Sequence, residues 1–155
     1  MRSTTMDPAP RAFADLPRDP ELGTPVPFAC GTDDPYGGPR DGSAPTARRL
    51  DGRRVTQCAL SRVCGVCGDG LGRPIAFLGT EVEQGRNAFH FPPAHVECAE
   101  ALLAAYDGVD GPLLGQDEAG PWVLVTTAAF EFVRPRKEDL DRRPTFQPTA
   151  LLGVP

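Results

Sequence analysis

Two residue pairs constrain this chain more than anything else in it. They are Cys64-Gly65-Val66-Cys67 and His95-Val96-Glu97-Cys98, and 27 residues separate them. Cysteines two residues apart on a glycine-rich turn can aim both sulfurs at one ion, while the turn's N–H groups stabilise the thiolates. Residues at i and i+3 share one side of a helix, so His95 and Cys98 can close the set. Three thiolates and one imidazole suit zinc, a borderline-soft ion that takes four such donors. A site with four protein ligands keeps no open position, which makes it structural. Iron–sulfur ligation is disfavoured by the histidine, and a redox role for Cys64 and Cys67 lacks the βαβ context it needs.

Around these pairs the chain divides into three. Residues 1–54 carry nine of the 18 prolines and short turn signals between Asp33 and Gly42. Proline removes backbone donors and disfavours helix before it, so this region reads as an extended arm, partly ordered by docking. Val26, Phe28 and Cys30 alternate as an edge strand would, and Cys30 is expected to be a docked apolar contact. Residues 55–134 hold the zinc-binding domain. There Val55 to Leu60 reads as a short strand carrying Cys58, a small apolar residue and only a second choice for His95's place as ligand. Pro74 to Gly79 reads as a buried strand and Ala88 to Phe91 as its partner, with a polar loop from Glu81 to Asn87 between them. His90, alternating with Phe89 and Phe91, is expected to face solvent.

The best helix of the sequence runs from about Pro93 to Tyr106. Proline suits a first helical turn, and Val96, Ala99, Leu103 and Tyr106 form an apolar stripe. Trp122 to Val125 and Phe130 to Val133 read as two strands, with Thr126 to Ala129 between them as a loop or bulged continuation. Residues 135–155 read as an irregular tail. The fold class is therefore α+β.

The knuckle Cys64-Gly65-Val66-Cys67-Gly68 and the helix start Pro92-Pro93-Ala94-His95-Val96-Glu97-Cys98-Ala99 resemble those of treble-clef zinc fingers. In such proteins a zinc knuckle, a β-hairpin and a helix follow in that order. The chain is also similar to small uncharacterised proteins of GC-rich bacteria with this knuckle and helix start; 15 of its 16 basic residues are arginine. The resemblance covers residues 58 to 106 and implies a fold and a metal but no activity. It departs at His95, where cysteine is common.

Charge narrows the function. The net charge is −5, and no lysine or arginine occurs from Asn87 to Glu131, the wrong sign for gripping a nucleic-acid backbone. Arg48, Arg49, Arg53 and Arg54 form a basic spot, read first as a solvated linker and second as a contact for nucleic acid or another partner. No apolar run could span a bilayer, no hydrophobic leader is evident, and the cysteines suit a reducing compartment, so a cytoplasmic protein is expected. His95-Val96-Glu97 invites comparison with zinc deaminases, but the cysteine pair comes in the wrong order and Cys98 would fill the water's place. The leading expectation is a non-catalytic zinc protein that binds another protein as an adaptor or regulator. Alternatives are a nucleic-acid-binding regulator and a small accessory enzyme with a pocket lined by Phe77, Phe89, Phe91 and Trp122.

Overall fold

The first regular element after the proline-rich stretch is a helix, where the sequence reading expected a strand. Asp51 accepts a hydrogen bond from the backbone N of Arg53, and α1 runs Gly52–Ser61 to a left-handed Arg62. Val55 and Cys58 stand three apart and are buried together, while Arg53, Gln57 and Leu60 face out. The spacing is helical, but six residues are too few to separate it from a strand. The boundary drawn between 54 and 55 thus falls inside α1. The structure, a computed structural model, describes residue 13 and residues 15–30, 46–109, 111–116 and 121–153. The turn signals from Asp33 to Gly42 lie outside the described residues.

β1 (Ile75–Thr80) is the uncharged apolar strand expected, and five of its six residues are buried. The segment after it is not a polar loop. Thr80 accepts from the N of Glu83 and Glu83 reaches back to the N of Thr80, a capping box that starts α2 (Glu81–Arg86). Chain reversal then leads to β2 (Ala94–His95) and directly into α3 (Val96–Ala105). The helix therefore begins three residues later than expected, and its buried residues are Cys98, Ala99 and Leu102, with Tyr106 just beyond; Val96 and Leu103 are half-buried. β3 (Trp122–Val133) joins the two expected strands into one, by the bulged continuation and not the loop, with the irregularity between Thr126 and Thr127. The tail, expected to be irregular, forms β4 (Thr145–Gly153).

These strands make one antiparallel sheet in the order β2-β1-β3-β4. The first half of β3 pairs with β1, Thr80 opposite Trp122 and Ile75 opposite Thr127. Its second half pairs with β4, Thr127 opposite Leu151 and Val133 opposite Thr145. The bulge at the crossover lets the strand bend between two partners, and the buried Thr127 hydroxyl bonds to the carbonyls of Thr149 and Ala129 there.

Phe89 does not pair with β1, as the alternating pattern suggested. It exchanges hydrogen bonds with Phe146 of β4 at 2.9 and 2.7 Å. Five residues later Ala94 pairs with Ala76 of β1. One short segment thus touches both edges of the sheet, and five residues reach at most about 18 Å, so the sheet must curl almost onto itself. Phenylalanines fill the inside of the curl. Phe77 lies 5.5 Å from Phe89 and 6.4 Å from Phe146, ring centre to ring centre, and Phe146 lies 5.1 Å from Phe132. No helix among the described residues is long and apolar enough to cross a membrane.

Residues from the proline-rich region contribute to this core. Val26, Ala29, Cys30 and Ala47 are buried, Cys30 in the apolar setting expected of it. Phe28–Cys30 is a turn of 3-10 helix and not an edge strand. The carboxylate of Asp19, also buried, ties this region together. It accepts from the N of Glu21 at 2.8 Å, of Leu22 at 3.1 Å and of Ala47 at 3.0 Å, and from the Thr46 hydroxyl at 3.1 Å. Burial alone would raise its pKa, but the bonds from Ala47, Leu22, Glu21 and Thr46 together hold it below the ordinary value of 3.8.

Two predictions follow from the packing. A carboxylate with a lowered native pKa stabilises the fold fully above its unfolded value, and this is lost as pH falls through the native one. Acid unfolding of Asp19→Asn is therefore expected to be shallower below pH ~4 than that of the parent chain, as read by circular dichroism. At Gly79, a Cβ would sit 2.3 Å from Glu83 Oε1 and 2.5 Å from the Phe89 ring. Gly79→Ala should cost about 2–3 kcal/mol in denaturant melts, the cost of overpacking a filled core.

Candidate metal centre

The knuckle is a tight turn built around one sulfur. Gly68 donates to the carbonyl of Cys64 at 2.8 Å and has φ +83°, a conformation suited to glycine. Beyond it the N of Cys64 bonds to the carbonyl of Asp69 at 2.7 Å, and Val63 bridges to Gly70. This folds Val66 and Cys67 back so that their N–H groups point at Cys64 Sγ, at 3.3 and 3.4 Å. A third N–H, from His95, reaches the same sulfur at 3.4 Å. Three donors on one sulfur suit a thiolate and not a thiol.

Neighbouring chain holds the knuckle on both sides. Phe28 and Ala29 donate to the carbonyls of Val66 and Gly65, each at 2.9 Å, and Gly65 donates to Pro93 at 2.8 Å. The Phe28 ring lies against Gly68, where a Cβ would meet it at 2.9 Å, and Arg54 stacks on the ring at 4.5 Å.

The second pair arrives from the sheet. β2 ends at His95, which is the N-cap of α3; its side chain makes no capping bond, and Cys98 is the third residue of the helix. The ring Nδ1 stands 3.4 Å from Cys67 Sγ and 3.7 Å from Cys98 Sγ. On the far side Nε2 stands 2.9 Å from the Gly70 carbonyl. A carbonyl only accepts, so Nε2 carries a proton, which leaves Nδ1, on the side of the sulfurs, as the atom that could bind a metal.

All four predicted ligands therefore converge: the donor atoms of Cys64, Cys67, His95 and Cys98 lie within 4.8 Å of one another. A tetrahedral ion with metal–sulfur bonds of ~2.3 Å and metal–nitrogen bonds of ~2.0 Å sets donors about 3.5–3.8 Å apart. The two sulfur-to-nitrogen distances match that edge, so the donor set fits a metal ion. As four titrating groups, the cluster gathers its first negative charge on Cys64, whose pKa the Cys67 and Cys98 thiols hold far below the ordinary value. Hydrogen bonding to that sulfur pushes Cys67 up to about 11, raises Cys98 further and lifts His95 to about 9. A bound cation takes the place of those protons. Glu97 is exposed, as the helical register predicts.

The remaining candidates separate from the cluster. Cys58 is buried on α1 and burial pushes its thiol up to about 12, so it stays protonated and apolar. His90 is the clearest correction: it is 7% exposed and does not face solvent. Its Nδ1 lies 2.8 Å from Glu83 Oε2, which also accepts the His90 N at 3.1 Å; Glu83 Oε1 accepts Gln116 Nε2 at 3.0 Å. The signal for Glu83 was the Thr80-x-x-Glu83 capping pattern, which places an acid at a fixed point of a helix start. Of the basic spot, Arg48 donates to the Pro112 carbonyl at 2.9 Å and Arg54 packs on Phe28, while Arg49 and Arg53 are exposed. Phe77, Phe89 and Phe91 belong to the packed core, and with Trp122 they line neither of two surface cavities among the described residues.

No protein-family model, curated protein or solved structure matches this chain.

The ligand set makes a direct prediction. His95→Cys should keep one metal ion per chain, since a sulfur can replace the nitrogen in such a site. Cys58→Ala should also keep it, and Cys64→Ser should lose it, as counted by elemental analysis of the purified proteins.

Proposed function

We propose that this chain is a zinc protein in which the metal is structural, held by Cys64, Cys67, His95 and Cys98 in a treble-clef-like arrangement. The convergence of four protein donors in one cluster carries this reading, because it provides a full tetrahedral set and no place for a reacting water. Three sulfurs with one nitrogen favour zinc over the harder divalent ions. The order of elements supports the treble clef: a knuckle, the antiparallel pair β1 and β2, then a helix that brings the second ligand pair. In that comparison α2 and residues 87–93 lengthen the connection between the paired strands.

The action we propose is binding, with another protein as partner. Glu97, Glu100 and Asp107 are exposed on and just after α3, the helix that holds the metal, and offer an acidic face to a basic partner surface. Nucleic acid is the weaker reading, because the net charge is −5 and Arg54 of the basic spot packs on Phe28 and bonds to its carbonyl.

Elemental analysis is expected to find one zinc per chain, and cobalt exchange to give the visible spectrum of a tetrahedral thiolate site. Exhaustive chelation should abolish the cooperative melting transition, and zinc should restore it, since metal binding of this kind is folding free energy. An unchanged transition after complete metal removal would overturn the structural role. Salt-dependent binding of DNA or RNA would favour the nucleic-acid reading instead.

A further inference from the structure

Apart from the four clustered ligand residues, the described residues form a cavity of about 490 Å³, within the size range of small-molecule sites. Arg48, Arg49, Arg142, Arg143 and His90 line it, and no Asp or Glu among the described residues does. That is a strong segregation of charge in a chain of net charge −5. The basic wall comes from both ends of the sequence, just before α1 and just before β4. Leu50 and Val55 add an apolar side, and Gly52 brings the positive end of α1 to the rim.

Three of the four arginines are held in place. Gly115 donates to the Arg48 carbonyl at 3.0 Å and accepts from Arg143 Nη1 at 2.6 Å, so one residue links both sides. Arg48 Nη1 bonds to the Pro112 carbonyl at 2.9 Å, and Arg142 Nη1 to the carbonyls of Arg136 and Asp139 at 2.5 and 3.4 Å. Carbonyls position a guanidinium without neutralising it. Two carboxylates offset part of the charge from outside the cavity: Glu21 lies 3.6 Å from Arg48, and Asp141 pairs with Arg143 at 2.7 Å. Arg49 makes no ion pair among the described residues. His90 is held from behind by the buried Glu83, and its Nε2 stands 3.6 Å from Asp141.

We infer that this cleft binds a small organic phosphate, with the phosphate among the arginines and an apolar body against Leu50 and Val55. Guanidinium groups match phosphate oxygens in geometry, and several of them beside a helix N-terminus favour a dianion over a single carboxylate. The apolar side favours an ester over the free ion.

The test is calorimetry on the zinc-loaded full chain at low salt, with phenyl phosphate, inorganic phosphate and benzoate as probes. Phenyl phosphate is expected to bind one per chain, about tenfold more tightly than either of the others. Arg49→Gln and Arg142→Gln should each weaken it about fivefold or more, with unchanged zinc content and melting temperature, and Arg142→Lys should recover part of the loss. No saturable binding of phenyl phosphate, or binding unaltered in both glutamine variants, would overturn the proposal. Equal binding of benzoate would overturn the choice of phosphate, and equal binding of inorganic phosphate the role of the apolar side. Zinc content and melting are measured on the same samples, so a failed metal reading and an empty cleft remain distinguishable.

Discussion

Everything in this fold depends on the seven residues from Phe89 to His95. Phe89 binds the outer edge of β4, Ala94 and His95 bind the outer edge of β1, and His95 also supplies a metal donor. A curled sheet held at both edges by one segment encloses its aromatic interior without needing a long strand there. Phe89 packs on Phe77 in the phenylalanine cluster, while Phe91, Pro92 and Pro93 bring the chain against the knuckle at Gly65. Separating the sheet from the metal site would break this segment first.

The knuckle ties in the proline-rich region as well. Phe28 and Ala29 donate to the knuckle, Ala29 accepts from Asp51, and Asp51 starts α1. A single line of backbone hydrogen bonds therefore joins the early part of the chain, the first helix and the Cys64 turn. Proline suits such a stretch: it keeps the chain extended so that its few donors can be spent on another element. The sequence led to an arm partly ordered by docking, with Cys30 as an apolar contact, but did not show that Val26, Ala29 and Ala47 belong to the same core.

What was legible and what was hidden follow a physical division. The ligand pairs could be read because each is local, fixed by the geometry of one turn or one helical step. β1 and α3 could be read because their apolar residues are continuous or repeat over enough length. α1 was missed because Val55 and Cys58 suit either period over so few residues. β4 was missed because Phe146 is its one large core residue among the described side chains, and Pro148 argues against a strand except at an edge. His90 looked like a surface residue because alternation speaks only of faces. Its partner, Glu83, is set by a helix cap and a glycine gap at Gly79, which no strand pattern can show.

The short β2 has one more consequence. It covers Ile75 and Ala76 at the outer edge of β1, in a stretch of six residues with no charge and no proline. Strands of that kind, with donors and acceptors left open, pair readily with another chain. In the proposed zinc protein, β2 would stay in place because His95 within it and Cys98 just after it are both anchored at the metal. On that reading the ion would guard the sheet edge as well as the shape: a chelator would uncover a pairing-prone edge first, and concentration would then decide between refolding and aggregation.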